Sequence, residues 1–301
     1  MNFRNIFFKL ALVILTGLCG RVVAQDIKWA NDGNSYYQVN GGELVAITLP
    51  LGEQKPVVDR NTVYSAGNNA GLSDIKDFQF SGDETKVLLY TNSMKVWRYE
   101  TRGNYYVADL KANKIVQIGK DKPASSLMFA KFSPDGSKVA YVSGHNLYVD
   151  DLSTGTSKAL TTDGTDRLIN GTFDWVYEEE FDCRDGFRWS PDGKSIAYWQ
   201  INASKIKNFL MINNTDSIYS YTVPVEYPKV GEDPSLCKVG IVDIATAKTN
   251  WLNVPGDQVQ HYIPRMEWVP NSNEVILQQL NREQNVSKLF VANASNGNVS
   301  N

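Results

Sequence analysis

Short runs in which apolar and polar residues alternate recur along the chain, and residues typical of tight turns separate them. The stretch after Phe132 contains three such runs, KVAYV, LYVDDL and SKAL, divided by the segments SGHN and STGT. Half-buried strands alternate in this way, and Gly, Ser and Asn favour the turns between them. The pattern predicts antiparallel β-meanders and therefore an all-β fold.

A longer repeat accompanies this alternation. An aromatic residue, a turn rich in Pro, Asp and Gly, and an apolar strand recur as a unit, most clearly in FSPDGSKVAYV and WSPDGKSIAYW. The aromatic anchors are separated by 51, 52, 57 and 79 residues, which is close to the blade period of a β-propeller with insertions. We predict an incomplete β-propeller of four-stranded antiparallel blades, with about four to five blades. The anchors are Trp29, Phe80, Phe132, Trp189 and Trp268.

The composition is that of an ordinary globular protein. The 301-residue chain is 42% hydrophobic and 21% charged, with a formal net charge of −3. Nucleic-acid binding usually needs a basic surface, so we expect no nucleic-acid partner.

The N-terminus has the pattern of an export signal. Positively charged residues precede the apolar run LALVILTGL, and the small residue Ala24 stands at a suitable cleavage position. We predict cleavage after Ala24 and export to the periplasm or the extracellular space. Residues 1–24 would then be a signal peptide and residues 25–301 the propeller domain. A lipid anchor on Cys19 is a weaker alternative, because a bulky residue precedes this cysteine.

No metal site or cofactor is predicted. Cys183 and Cys237 fit no zinc-binding spacing, and His145 and His261 lie far apart in the sequence. Export would permit a disulfide between the two cysteines, and two separate thiols are the alternative.

Two segments break the repeat, and irregular segments of a repeat scaffold often carry function. The first, Thr91–Leu110, contains the run VWRYE with Arg98. The second begins with DWVYEEEF, Asp174–Phe181, where three glutamates follow large apolar residues, and continues to Ile244. Adjacent carboxylates repel one another, so this run calls for an explanation. A solvated acidic turn is the simplest one.

The segments VWRYE, DWVYEEEF, RWSPDGKSIAYW and YPKVGEDP resemble, in order and spacing, the propeller of the dipeptidyl peptidase IV family of serine peptidases, within the prolyl oligopeptidases. The resemblance implies that the full-length protein removes Xaa-Pro or Xaa-Ala dipeptides from free peptide N-termini. It also implies an eight-bladed propeller, a following α/β-hydrolase domain, and a homodimeric parent enzyme.

The same resemblance assigns the substrate's α-ammonium group to Glu179 and Glu180, and the substrate's carbonyl to Arg98. Two ionised carboxylates accept most of the three donors of an ammonium group. A cation between them also keeps both carboxylates ionised in a dry cleft. A plain surface arginine is the alternative for Arg98.

The neighbouring residues of the acidic stretch are expected to be structural. Glu178 is placed in this group because successive side chains on a regular element diverge. Asp174, Trp175 and Tyr177 are predicted as scaffold and as a frame for the carboxylates.

The sequence offers no catalytic residues of its own. The nearest approach to a Gly-x-Ser-x-Gly nucleophile elbow, GTSKA, lacks the second glycine. We therefore expect the N-terminal part of a longer peptidase, inactive alone. A self-contained five-bladed binding module is one alternative. A five-bladed glycoside hydrolase is another, although it needs two carboxylates on facing elements rather than adjacent ones.

Overall fold

Almost every regular element in the part of the chain that the structure describes is an antiparallel β-strand, as the alternating pattern predicts. The computed structural model describes residues 27–58 and 75–301, so the predicted signal peptide lies outside the described residues. The chain divides into two compact units, Met1–Thr62 and Val63–Asn301, which are treated separately.

Residues 27–58 of the first unit form a four-stranded sheet. Its strands are β1 (Lys28–Trp29), β2 (Ser35–Asn40), β3 (Glu43–Thr48) and β4 (Glu53–Val58). They pair in chain order as an antiparallel meander.

The second unit begins with two meanders joined into one eight-stranded sheet. The strands are β5 (Asp77–Phe80), β6 (Lys86–Val96), β7 (Tyr99–Asp109), β8 (Lys114–Ile118), β9 (Leu127–Phe132), β10 (Lys138–Ser143), β11 (Asn146–Asp151) and β12 (Thr156–Ala159). Strands β5 to β8 form one meander and β9 to β12 the next. The two are joined where Arg102 and Gly103 of β7 pair with Met128 and Leu127 of β9.

The next sheet carries the insertions. Its elements are β13 (Leu168–Asn170), helix α1 (Trp175–Phe181), β14 (Phe187–Trp189), β15 (Ser195–Asn202), β16 (Asn208–Asn213), β17 (Tyr221–Glu226), β18 (Leu236–Asp243) and β19 (Thr249–Trp251). Strands β14, β15, β18 and β19 form the four-stranded unit, and β13 pairs with the far end of β15. Strands β16 and β17 form a separate hairpin.

The last sheet is again a simple meander. Its strands are β20 (His261–Trp268), β21 (Glu274–Asn281), β22 (Ser287–Asn293) and β23 (Val299–Ser300). They also pair in chain order.

Each predicted anchor aromatic is the last residue of the first strand of a four-stranded unit. Trp29 ends β1, Phe80 ends β5, Phe132 ends β9, Trp189 ends β14 and Trp268 ends β20. The sequence repeat therefore marks blade-like units one for one, and the predicted incomplete propeller of four-stranded antiparallel sheets is confirmed.

Side chains close the turn that follows each of the middle anchors. In the SPDG turn after β9, the Ser133 hydroxyl donates to Asp135 (2.6 Å) and accepts from the backbone N–H of Lys138 (3.0 Å). Asp135 also accepts from the backbone N–H of Ser137 (3.0 Å). The Ser133 hydrogen bond is the main reason that the pKa of Asp135 falls to about 2. The turns after β5 and β14 repeat these bonds, so serine and aspartate are as important to the repeat as proline and glycine.

The apolar cores of the second unit lie between successive four-stranded units. One cluster joins β6 and β7 to β9 and β10, and another joins β10 and β11 to β14 and β15. A third joins α1, β15 and β18 to β20, β21 and β22. Hydrogen bonds also connect successive sheets. The indole N–H groups of Trp189 and Trp268 donate to the carbonyls of Lys131 (3.3 Å) and Arg188 (3.1 Å) in the preceding sheet.

Two structural points bear on the sequence predictions. Cys183 and Cys237 are both buried free thiols, and burial raises the pKa of Cys183 to about 11 and that of Cys237 to about 12. Of the two alternatives for these cysteines, separate thiols is therefore the one observed. Residues 27–58 and 75–301 contain no helix with the length and apolarity needed to cross a membrane.

Candidate functional site

A two-stranded arm carries Arg98. Strands β6 and β7 have 11 residues each, and their outer ends, residues 91–104, project as the arm. The register shifts after Thr91 and again at Met94, and such bulges bend and twist a hairpin. Trp97 and Arg98 form the turn at the tip, with Trp97 in the left-handed region at a φ of 55°.

One glycine is required where the arm leaves the sheet. A Cβ on Gly103 would lie 2.3 Å from the ring of Tyr90 and 2.6 Å from the carbonyl oxygen of Thr91. The Tyr90 hydroxyl lies 2.8 Å from the carbonyl oxygens of both Glu100 and Arg102. The ring of Tyr90 thus crosses the base of the arm, and a side chain at position 103 would displace it.

The acidic stretch is a short helix rather than a turn. Asp174 caps α1 by accepting from the backbone N–H of Tyr177 (3.1 Å), and the Ser235 hydroxyl donates to its other oxygen (2.5 Å). Asp182 ends the helix in the left-handed region, at a φ of 55°. Aspartate is a preferred N-cap and glutamate a good helix former. The solvated acidic turn is therefore wrong, and the predicted scaffold role of Asp174 agrees with its position.

The three glutamate side chains of α1 point in three directions, because successive residues are rotated by about 100° around the helix axis. Glu178 is buried, with 6% of its surface exposed. The side chain of Glu179 is 21% exposed, and Glu180 is exposed.

Glu179 meets Arg98. The Arg98 Nε lies 3.2 Å from the Glu179 Oε1, and the Arg98 side chain remains 73% exposed. An ion pair this open contributes little to stability. The ion pair matters because it brings together two of the three predicted site residues, which lie on elements far apart in the sequence.

Glu180 is not brought to Arg98. It occupies the next position on α1 and faces solvent, so its predicted role in binding stays a prediction. Glu178 faces inwards, which agrees with a structural role. Burial raises the pKa of Glu178 to about 7, the guanidinium of Arg184 opposes the rise, and the nearby carboxylate of Glu179 adds to it.

A second contact holds the arm tip against the end of the helix. The Arg184 guanidinium lies 3.6 Å from the ring centroid of Tyr99, which follows Arg98 in the arm. Arg184 also forms an ion pair with Asp182, the C-cap of α1. A stacked cation of this kind adds to the Arg98–Glu179 contact, so the arm tip contacts both α1, at Glu179, and the segment that follows it, at Arg184.

A cavity of about 500 Å³ opens beside the Arg98–Glu179 pair. Its wall combines the arm tip, α1, the β16–β17 hairpin and the residue that follows the hairpin. The lining residues are Trp97, Arg98, Trp175, Glu179, Phe209, Met211, Val225 and Tyr227.

The apolar part of this wall is absent from the predicted site. Trp175, predicted above as scaffold, lines the cavity and packs on Tyr227 with a centroid distance of 4.3 Å. Phe209 and Met211 lie two residues apart on β16 and so share a face of the hairpin. The available signals were the four consecutive apolar residues in NFLMIN and the position of Tyr227 in the motif YPKVGEDP.

Within residues 27–58 and 75–301, no group of three or more His, Cys, Asp or Glu side chains is placed to hold a metal ion.

Comparison with known proteins decides the family. The family model described as the dipeptidyl peptidase IV (DPP IV) N-terminal region matches residues 81–301. The chain belongs to this family. The resemblance seen in its motifs is thereby confirmed.

This dipeptidyl peptidase IV-like region is similar to parts of larger proteins. It is 30% identical to mouse prolyl endopeptidase FAP over 270 residues, which is 87% of this chain and 34% of that protein. It is 28% identical to pig dipeptidyl peptidase 4 over 279 residues, covering 89% of this chain and 35% of the relative. It is also 25% identical to rat inactive dipeptidyl peptidase 10 over 280 residues, covering 90% and 34% respectively.

A solved structure gives the same result. The crystal structure of Porphyromonas gingivalis dipeptidyl peptidase 4 superposes with a TM-score of 0.82 at 26% identity, covering 94% of this chain and 40% of that one. The chain thus spans about a third of the length of the curated relatives that it matches.

Proposed function

We propose that this dipeptidyl peptidase IV-like region binds the free N-terminus of peptide substrates, with Glu179 and Glu180 holding the α-ammonium group and Arg98 the adjacent carbonyl. The observation that supports this most strongly is the Arg98–Glu179 pair at 3.2 Å beside an open cavity. In the full-length enzyme, this binding would direct the release of N-terminal Xaa-Pro or Xaa-Ala dipeptides.

The geometry of the pair suits this task. One carboxylate offers about four acceptor positions, so Glu179 accepts from an ammonium group while one of its oxygens remains with Arg98. The guanidinium has five N–H donors, and its Nε is the atom that pairs with Glu179, at 3.2 Å. The remaining donors are available to a peptide carbonyl. We propose that Glu180, which is exposed, turns its side chain towards the same ammonium group when a peptide binds.

The remaining parts of the proposal concern the protein as a whole. We propose that it is exported by the leader predicted at residues 1–24. We further propose that the region acts with an α/β-hydrolase domain, which carries the Ser-Asp-His triad in this family, and that the parent enzyme is a homodimer. The similarity to relatives about three times as long supports cooperation with a further domain.

A binding module without peptidase activity is a second candidate. The similarity to a relative named inactive dipeptidyl peptidase 10 over 90% of this chain supports it, because this region of the fold is thus found in a protein described as inactive. Peptide binding by the region is compatible with both candidates.

The deciding experiment measures whether binding depends on a free N-terminus. The full chain is titrated calorimetrically with the tetrapeptide Ala-Pro-Ala-Ala and with its N-acetylated form. We expect acetylation to weaken binding by about 30-fold or more, since it removes the charge that faces Glu179.

Variants connect this result to the residues. Glu179→Gln and Arg98→Ala should weaken binding of the free peptide, whereas Glu283→Gln, an exposed carboxylate in the β21–β22 turn, should not. Equal affinities for the free and acetylated peptides would contradict the proposed function.

A further inference from the structure

We propose that Arg167 is a positioning residue for the β16–β17 hairpin, and that it holds this hairpin as a wall that limits water around the Arg98–Glu179 pair. Arg167 precedes β13 and lies outside the cavity lining. The proposal rests on the proposed function, because it takes the pair as the binding site for the peptide N-terminus. It adds a residue outside the cavity on which the affinity of the site depends.

Burial of the hairpin is concentrated at its root. Strands β16 and β17 form a two-stranded sheet of their own, in which Leu210 and Ile212 are 58% and 73% exposed. An isolated two-stranded hairpin is only marginally stable in water. At the root, by contrast, Ala203 and Ile206 before β16 and Val225 near the end of β17 are buried. The position of the hairpin therefore depends on the contacts that hold its root.

Arg167 holds the segment that leads into β16 with both its main chain and its side chain. Its carbonyl accepts from the backbone N–H of Ala203 (2.8 Å). Its Nη1 donates to the carbonyls of Ala203 (3.2 Å) and Ile206 (2.7 Å). Hydrogen bonds from a charged donor are about twice as strong as neutral ones. The guanidinium therefore fixes the direction in which the chain enters the hairpin.

The same guanidinium reaches both strands of the hairpin. Its Nη2 donates to the side-chain oxygen of Asn208, the first residue of β16. The same nitrogen lies 3.4 Å from a carboxylate oxygen of Glu226, the last residue of β17. Asn208 and Glu226 pair with each other across the hairpin. One planar guanidinium with several donors thus holds both strands at the point where the hairpin leaves the sheet.

The position of the hairpin matters because the hairpin forms part of the wall beside the ion pair. Phe209, Met211 and Val225 line the cavity together with Arg98 and Glu179. The attraction between two charges grows as the effective dielectric constant falls, and apolar side chains nearby keep water away. When the hairpin leaves this position, water reaches the pair more freely. Glu179 should then attract an ammonium group less strongly.

Hydrogen exchange tests the positioning role without any peptide. In the full chain carrying Arg167→Ala, the amides of residues 208–226 should exchange about fivefold faster or more, because the hairpin opens more often. Exchange in the last sheet, residues 261–300, should not change. Lys138→Ala is the matched control, since its side chain is 31% exposed, against 32% for Arg167, and pairs with Asp151 at 3.7 Å. It should leave exchange in the hairpin unchanged.

Calorimetric titration with Ala-Pro-Ala-Ala and its N-acetylated form tests the consequence for the site. The affinity ratio of about 30-fold or more expected for the wild type and for Lys138→Ala should fall to about tenfold or less in Arg167→Ala. Arg167→Lys keeps the charge beside Glu226 but loses the planar donors, so it should show both changes to a smaller degree. Urea denaturation checks that each variant is folded, and Arg167→Lys replaces Arg167→Ala where the alanine variant is not.

The outcomes separate the two proposals. Faster exchange in the hairpin together with a smaller affinity ratio supports the positioning role of Arg167. If exchange in the hairpin is unchanged, or if it is faster but the ratio is preserved, the positioning role is wrong, and the ammonium site stands on the ratio of the wild type. If the wild type binds the free and acetylated peptides equally, the ammonium site is wrong and the positioning role falls with it.

Discussion

Three adjacent glutamates have three different environments because they lie on a helix. Glu178 is buried, Glu179 pairs with Arg98, and Glu180 faces solvent. Burial is the main reason that the pKa of the Glu178 carboxyl is raised, to about 7. The free-energy cost of burying the Glu178 carboxyl therefore depends on pH.

The sign of this dependence is fixed by the direction of the shift. Below pH 4.5, the ordinary value for glutamic acid, Glu178 is protonated in both the folded and the unfolded chain. Between pH 4.5 and about 7 the unfolded chain releases the proton and the folded chain keeps it. The free energy of unfolding should therefore fall as pH rises through this window, by roughly 1–3 kcal/mol from this group.

Glu178→Gln should remove this dependence. Urea denaturation at pH 5 and pH 8 should show the variant gaining stability relative to the wild type at the higher pH. Glu180→Gln is the control, and its difference from the wild type should be the same at both pH values within about 0.5 kcal/mol. A Glu178→Gln difference that does not change with pH would mean that the carboxyl is not buried as described.

At the scale of elements, the seven-residue helix α1 depends on its N-cap. Asp174 is 7% exposed and accepts from both the Tyr177 N–H and the Ser235 hydroxyl. Asp174→Ala should lower the free energy of unfolding by about 2 kcal/mol, since it removes the cap and leaves a buried hydroxyl without its acceptor.

Chemical denaturation of Asp174→Ala and Asp174→Asn tests the role of the cap. The asparagine variant should retain most of the stability, because its amide oxygen still accepts from the Tyr177 N–H. The alanine variant should also bind the free tetrapeptide more weakly, because α1 carries Glu179. Equal stability of the two variants would show that the cap is unimportant.

The elements also show what a sequence reveals by itself. The anchors and the SPDG turns are local, with chemistry specified within about six residues, so strands β10 to β12 are found where the pattern predicts them. Helix α1 is too short for a helical period to emerge in DWVYEEEF. The cavity wall forms where a hairpin, an arm and a helix come into contact. Phe209 and Met211 lie in no sequence motif that would predict this contact.

At the scale of the whole second unit, the anchor tryptophans connect successive sheets. The Trp268 indole donates to the carbonyl of Arg188 at 3.1 Å. Phenylalanine fills the anchor position at the end of β5 and of β9, so Trp268→Phe should keep the packing and lose the hydrogen bond. We expect a loss of about 1 kcal/mol in the free energy of unfolding.

Urea denaturation of Trp268→Phe measures this contribution. Trp29→Phe is the matched change in the first unit, where the anchor is 58% exposed, and it should alter stability by less than about 0.5 kcal/mol. If the two variants lose equal stability, the bond between the sheets contributes nothing.

Strand β7 pairs with β8 along its inner half and with β9 at the base of the arm. Each unit of a repeat scaffold contacts only its neighbours, and such units are therefore well suited to exchange in protein engineering. Here backbone pairing between β7 and β9 also joins one meander to the next. A chimera that received only β5 to β8 would bring the arm without the strand that supports its base. The smallest transplantable cassette is the whole stretch from Asp77 to Ala159, and moving the arm into another propeller requires moving two blades.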